Sequence, residues 1–190
     1  TQLEAINQQL QSQPNSVLKA KALQNLGVTL QNVGAFSASL SVLEQSLSIA
    51  QQIGVAVDTG PSANSTSTAA NSTVASTVLL ALGRTWQGLS DVDQALSFYE
   101  QASASATTPL NQVNARLSQL GLLISTDQRS AAQTLLAKIR MQLPALPASR
   151  SAVYAYVNFV QSWMQLSPKA SSLEMMQILS TAVDQAEQLK

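Results

Sequence analysis

The chain reads as all-α: a right-handed superhelical stack of antiparallel helix hairpins, an α–α solenoid. Three observations predict it. Apolar residues recur at helical spacing almost from end to end, without the alternation of a strand. Pro and Gly fall between the periodic segments, where helices stop. Two octets also superpose, Leu23-Gln24-Asn25-Leu26-Gly27-Val28-Thr29-Leu30 and Leu79-Leu80-Ala81-Leu82-Gly83-Arg84-Thr85-Trp86. Each is followed at matching distances by a small and then a large residue, Ser39 and Leu43 in one, Ala95 and Tyr99 in the other. Such a unit cannot bury its apolar face alone and must stack on neighbours.

Leu3, Ile6 and Leu10 make a leading partial helix within 1–13, ended at Gln13-Pro14-Asn15. A second helix is expected over 16–33, where Gly34 can take the left-handed turn that ends it. A third covers 35–53, with Phe36, Leu40, Leu43, Leu47 and Ile49 on its buried stripe. These two helices form repeat 1, 16–53. The order large, Leu-Gly, large, then small and large on the next helix resembles the tetratricopeptide repeat, whose period is about 34 residues. In that pattern the Gly lets two helices approach closely. Ala95 and Ala102 do the same from the other helix, and Trp86 and Tyr99 fill the space between hairpins.

Gly27 and Gly83 lie 56 positions apart, one such repeat plus about 22 residues. The surplus, 54–75, is rich in Ser, Thr and Asn, contains Gly60-Pro61, and is expected to be a long mobile loop. Its two glycosylation sequons, at Asn64 and Asn71, read as chance matches in a biased segment. Repeat 2 spans 76–106, with Ser90-Asp91-Val92-Asp93 expected to cap its second helix from Ser90. Thr108-Pro109 opens repeat 3, 109–142, Thr as the cap and Pro at the first helical position. That repeat carries Leu117, Leu120, Gly121 and Ile124, then Ala132, Leu136 and Ile139, and its turn is expected one residue short. After Pro144 and Pro147, repeat 4 spans 149–189. Tyr154, Tyr156, Phe159 and Trp163 lie on its first helix, and a Ser171–Glu174 capping box opens its last. All of 1–190 is expected to form one repeat domain.

Composition excludes more than it assigns. Hydrophobic residues make up 45% of the 190, enough for a sizeable core, and charged residues only 11%, against about 25% ordinarily. Ten basic and ten acidic residues cancel, so nothing points to nucleic acid or an anionic membrane surface. No apolar run approaches the roughly 20 residues of a membrane span. His and Cys are both absent. Imidazole acid–base chemistry, thiol nucleophiles, disulfides and nearly every zinc site go with them. Asp91 and Asp93 read as a helix cap rather than a catalytic pair, Asp127 has no acidic company, and the seven glycines form no phosphate loop. No enzyme, catalytic residue, metal or cofactor is expected. The chain starts at Thr1 and stops at Lys190 inside a helical run, which reads as a piece of a longer protein. A removed signal peptide explains the start equally well, so the compartment stays open between cytoplasmic and exported.

Function is expected on the inner groove, at first-helix positions free of packing. In repeat 1 these are Lys21, Gln24, Val28, Gln31 and Asn32; in repeat 2, Leu80, Arg84 and Gln87. Repeat 3 offers Ser118, Leu122 and Ser125, and repeat 4 Gln161 and Met164. The groove so formed is amide-rich. A protein or peptide partner is the expected occupant. Lys19 and Lys21, two apart, point in different directions and make no basic patch. A carboxylate clamp of the kind some tetratricopeptide domains use is not transferable, because Gln24, Val28 and Ala81 stand where it needs Lys and Asn.

Several phrases are similar to the tetratricopeptide region of cyanobacterial proteins that end in a CHAT domain, a caspase-like peptidase module. They are Leu47-Ser48-Ile49-Ala50-Gln51-Gln52, Leu82-Gly83-Arg84-Thr85, Ala95-Leu96-Ser97-Phe98-Tyr99-Glu100-Gln101-Ala102 and the run from Arg116 to Ile124. The resemblance covers about 17–166 and implies a non-catalytic scaffold, the recognition or regulatory arm of a larger protein. It implies that the His–Cys pair of any peptidase lies outside this chain. The alternative is a structural module that self-associates through its solenoid ends.

Overall fold

The computed structural model describes residues 2–58, 65–167 and 172–187. Among them every regular element is helical: α1 Gln2–Gln11, α2 Val17–Asn32, α3 Phe36–Asp58, α4 Ser65–Gly88, α5 Val92–Ser105, α6 Pro109–Ser125, α7 Arg129–Gln142, α8 Arg150–Leu166 and α9 Ser172–Glu187. The chain divides into two compact units, Thr1–Thr107 and Thr108–Lys190, where the repeat pattern predicts one domain. Packing between hairpins is local, and the boundary falls between α5 and α6.

In the first unit the local signals act as expected. The Ser16 side chain accepts the Lys19 N–H at 3.1 Å and starts α2. The Lys19 ammonium reaches back to the carbonyls of Gln11 (3.3 Å) and Gln13 (2.7 Å), supplying donors at the end of α1. Gly34 ends α2 at φ +77°. Its N–H bonds Gln31 O and the next, Ala35 N–H, bonds Leu30 O, both at 2.9 Å: the paired bonds of a Schellman motif. The same two bonds recur at Ser90 (to Gln87 O, with Asp91 N–H to Trp86 O) and at Asp127 (to Ile124 O, with Gln128 N–H to Leu123 O). Both residues are left-handed, at φ 64° and 55°. Ser90 therefore ends α4, and the cap of α5 moves one residue on: Asp91 accepts the Gln94 N–H at 3.0 Å.

The expected loop at 54–75 is mostly helix. α3 runs on through 58 and α4 begins at Ser65; 59–64 lie outside the described residues. From 65 to 75 there is neither Gly nor Pro. Nothing in that stretch stops a helix that is anchored downstream by the buried Val74 and Val78.

The hairpins close on glycine. A Cβ at Gly27 would come within 2.5 Å of Leu43, and one at Gly83 within 2.5 Å of the Tyr99 ring. Leu43 and Tyr99 are both fully buried. Opposite them, Ser39 Oγ donates to Gly27 O (2.9 Å) and Ser46 Oγ to Ala20 O (2.7 Å), so two buried hydroxyls tie α3 to the backbone of α2. α4 packs on both α2 and α3. Phe36 of α3 lies where a side chain at Gly88 of α4 would stand. On α3, Ile49 is also buried, whereas Phe36, Leu40 and Leu47 are half-buried.

In the second unit Thr108 caps α6 by accepting the Asn111 N–H at 3.2 Å, with Pro109 at the first helical position. Ser149 caps α8. The turn Thr126-Asp127-Gln128 is as long as its counterparts, and the missing residue lies within α6. Gly27 and Gly83 stand seven positions before the left-handed residue, and in α6 that position is Leu120, fully buried. Gly121 is exposed and a Cβ there would touch nothing within 4 Å. The core gathers Ala132, Ile139, Leu143, Tyr156 and Phe159, with Phe159 and Trp163 stacked obliquely at 5.8 Å. Tyr156 donates its hydroxyl to Leu143 O at 2.8 Å. Tyr154 instead faces solvent. The expected Ser171 cap lies outside the described residues, and Glu174 pairs with Arg140 at 3.2 Å.

Replacing Gly83 by Ala should therefore overpack against Tyr99 and lower stability by about 1–3 kcal/mol. Gly121→Ala should raise it by about 0.5–1 kcal/mol. Ser90→Gly should relieve a left-handed side chain and stabilise by about 1 kcal/mol. Shifts in urea midpoints check all three.

Candidate functional site

The groove positions divide once their neighbours are known. On α2, residues 24, 28 and 31 form one half-buried stripe, and its two glutamines bond α4. Gln24 Oε1 accepts from Thr77 Oγ1 at 3.3 Å. Gln31 Nε2 donates to Ala81 O at 2.6 Å and to Thr85 Oγ1. Thr85 shares a hydrogen bond with Ser39 of α3 at 3.2 Å. One amide thus closes a buried polar chain across three helices, where an unmade bond would cost about 1–3 kcal/mol. Val28 between the two glutamines is half-buried. Gln24 and Gln31 are consequently structural, a correction to their reading as free groove residues.

Lys21 and Asn32, one step further around α2, are exposed. On α4, Leu80 is half-buried and Arg84 and Gln87 are exposed. Gln87 accepts the Tyr99 hydroxyl at 2.7 Å, so it too is engaged within its own hairpin. In the second unit Leu122 is 4% exposed and belongs to the core, which corrects its place in the groove. The cause is the one-residue shift of α6: counting from Gly121 rather than Leu120 turns every assignment by about 100° around the helix. Ser118 is half-buried, Ser125 is exposed with its hydroxyl on Leu122 O (2.9 Å), and Gln161 and Met164 are exposed.

What remains open in the first unit is Lys21 and Asn32 on α2 and Arg84 on the adjoining α4, with Val28 and Leu80 half-buried. It can offer hydrogen bonds and positive charge to a partner. It holds no acid–base or nucleophilic constellation. Asp91 is spent as a helix cap and Asp127 pairs with Arg129 at 2.7 Å. No cluster of three metal-ligating side chains occurs among the described residues, and no helix there is long and apolar enough to cross a membrane.

Two clefts escaped the sequence reading. One, of about 430 Å³, lies between α1 and α2. The other, of about 220 Å³, is lined by Gln11, Asn15, Gln45 and Gln52, with Gln11 bonded to Gln45 (3.1 Å) and Asn15 to Gln52 (3.2 Å). The signal for the second was in the chain: Gln11 and Gln45 are 34 positions apart, one repeat period.

No protein-family model matches the chain, and comparison with curated proteins finds no relative. The surface itself is what bears on function.

Tyr99 reports on the first unit. Burial pushes its phenol up from 10.0 to about 12, against the opposing pull of the Arg84 charge. Between those values the unfolded phenol ionises while the folded one keeps its proton. The stability this burial allows is complete below pH 10 and falls as pH rises toward 12. Burial raises Tyr156 as well, so Tyr99→Phe should flatten part of the alkaline decline. It should also cost about 1 kcal/mol at neutral pH for the lost bond to Gln87. Denaturation midpoints between pH 8 and 12 test both.

Proposed function

We propose that the chain is a non-catalytic protein–protein interaction scaffold whose hairpins stack as a tetratricopeptide-like, right-handed superhelix. The observation that carries this is the surface of α2 and α4, where Lys21, Asn32 and Arg84 stay exposed while their neighbours Gln24 and Gln31 are consumed in packing. A rigid pair of helices with outward cationic and amide groups suits a peptide or protein partner. The three Schellman turns at matching register support equivalent hairpins. The resemblance of its repeat phrases to CHAT-protein scaffolds supports a recognition or regulatory arm. In that reading peptidase chemistry belongs to another module, since this chain has neither His nor Cys.

A second reading has one observation of its own. Leu173, Met176 and Val183 are exposed along α9 at helical spacing, an apolar stripe suited to association with another copy. Light scattering across a concentration series addresses it, and a monomer throughout would remove it.

Used as bait, the chain should enrich a protein partner. Arg84→Glu combined with Lys21→Glu should reduce capture by about tenfold in equilibrium binding, with salt dependence to match. Unchanged capture after both substitutions would overturn the surface.

A further inference from the structure

The cleft between α1 and α2 has Ile6 and Leu10 on one wall and Leu18 and Ala22 on the other. Ile6 is 47% and Leu18 77% exposed, unusual for large apolar side chains inside a concave surface. The repeat itself shows what covers such a place. Fifty-six positions on, in the register that superposes Gly27 on Gly83, Leu18 and Ala22 correspond to Val74 and Val78 of α4. Those two are buried, at 2% and 0%, in the core shared with α2 and α3. There α4 is packed by α2 and α3 together, whereas α2 has α1 in the place of α3 and, among the described residues, no helix in the place of α2.

The polar edge is duplicated too. In α4, Thr85 Oγ1 lies 3.2 Å from Ala81 O, and both groups accept the Gln31 amide of α2. In α2, at the same register, Thr29 Oγ1 donates to Asn25 O at 2.8 Å, and both residues face solvent. The surface that receives α2 on α4 is therefore repeated on α2, with Lys21 in the place of the donor Thr77, and it continues an interface already present in the molecule by one helix.

We propose that the α1–α2 cleft docks an amphipathic helix from a partner protein, running parallel to α2 and presenting what α2 presents to α4. That face has two side-chain amides seven residues apart, the Gln24 and Gln31 pattern, around a small apolar residue. The second amide would donate to Asn25 O and Thr29 Oγ1, and apolar neighbours would cover Leu18, Ala22 and Ile6. Ordering a 16–18-residue helix is marginal in water, so docking couples to its folding. This inference rests on the equivalence of the hairpins and not on the Arg84 surface.

The probe is a fluorescein-labelled peptide with the sequence of residues 16–33, titrated with the full 190-residue chain. Saturable anisotropy and a rise in helical circular dichroism are expected. Leu18→Glu or Ile6→Glu in the protein should weaken binding by about tenfold or more, as should Gln31→Leu in the peptide. Leu18 is 77% exposed, so Leu18→Glu should melt like the parent. Arg84→Glu should leave peptide binding unchanged, which lets this proposal and the proposed function fail separately. Absence of saturable binding, or binding indifferent to both cleft substitutions, overturns it. So does a concentration-dependent dimer that Leu18→Glu abolishes while the peptide does not bind, since that assigns the cleft to a second copy.

Discussion

The first unit depends on the close approach of paired helices at Gly27 and Gly83. With no side chain at these points, Leu43 and Tyr99 sit against the facing backbone and are fully buried. That spacing also brings Ser39 within 2.9 Å of Gly27 O and Ser46 within 2.7 Å of Ala20 O. A methyl group at Gly27 would push α2 and α3 apart and stretch both bonds together, and one at Gly83 would separate α4 from α5. α6 lacks the device, for Leu120 occupies the equivalent place and Gly121 points to solvent. The second unit builds its core instead from Tyr156, Phe159, Trp163 and Ile139.

The polar composition follows from this geometry. Helices held so near one another expose backbone carbonyls to small polar side chains, and Ser, Thr and Gln meet them. Gln31 reaches Ala81 O and Thr85, Thr85 reaches Ser39, and Ser39 reaches Gly27 O. Each group is satisfied only while the others hold, so the chain of bonds specifies register between hairpins. A chain with 11% charged residues thus uses amides and hydroxyls for the positioning that ion pairs often supply. The cationic groups Lys21 and Arg84 are left on the surface, available to a partner.

Helix starts and stops were legible because they are made by neighbours in sequence. Ser16, Thr108 and Ser149 each cap the helix they precede, and Gly34 ends α2 in the left-handed region. The octets around Gly27 and Gly83 revealed the equivalent hairpins for the same reason. The stretch 54–75 misled, because a polar Ser/Thr/Ala composition resembles a linker locally. Helix there is decided by packing at Val74 and Val78.

The candidate surface was legible only in part. Spacing identified which residues of α2 share a stripe, but not which stripe α4 would cover. Gln24 and Gln31 were therefore indistinguishable from Lys21 and Asn32 until their partners were in place. In α6 a shift of one residue moved Leu122 from surface to core, since each step turns a helix by about 100°. The sequence by itself determined most helix starts and stops and the glycine-closed hairpin unit, all products of short-range hydrogen bonding and apolar period. Tertiary structure alone decided which faces are spent on neighbours and which stay open, because that depends on contacts between residues some 50 positions apart.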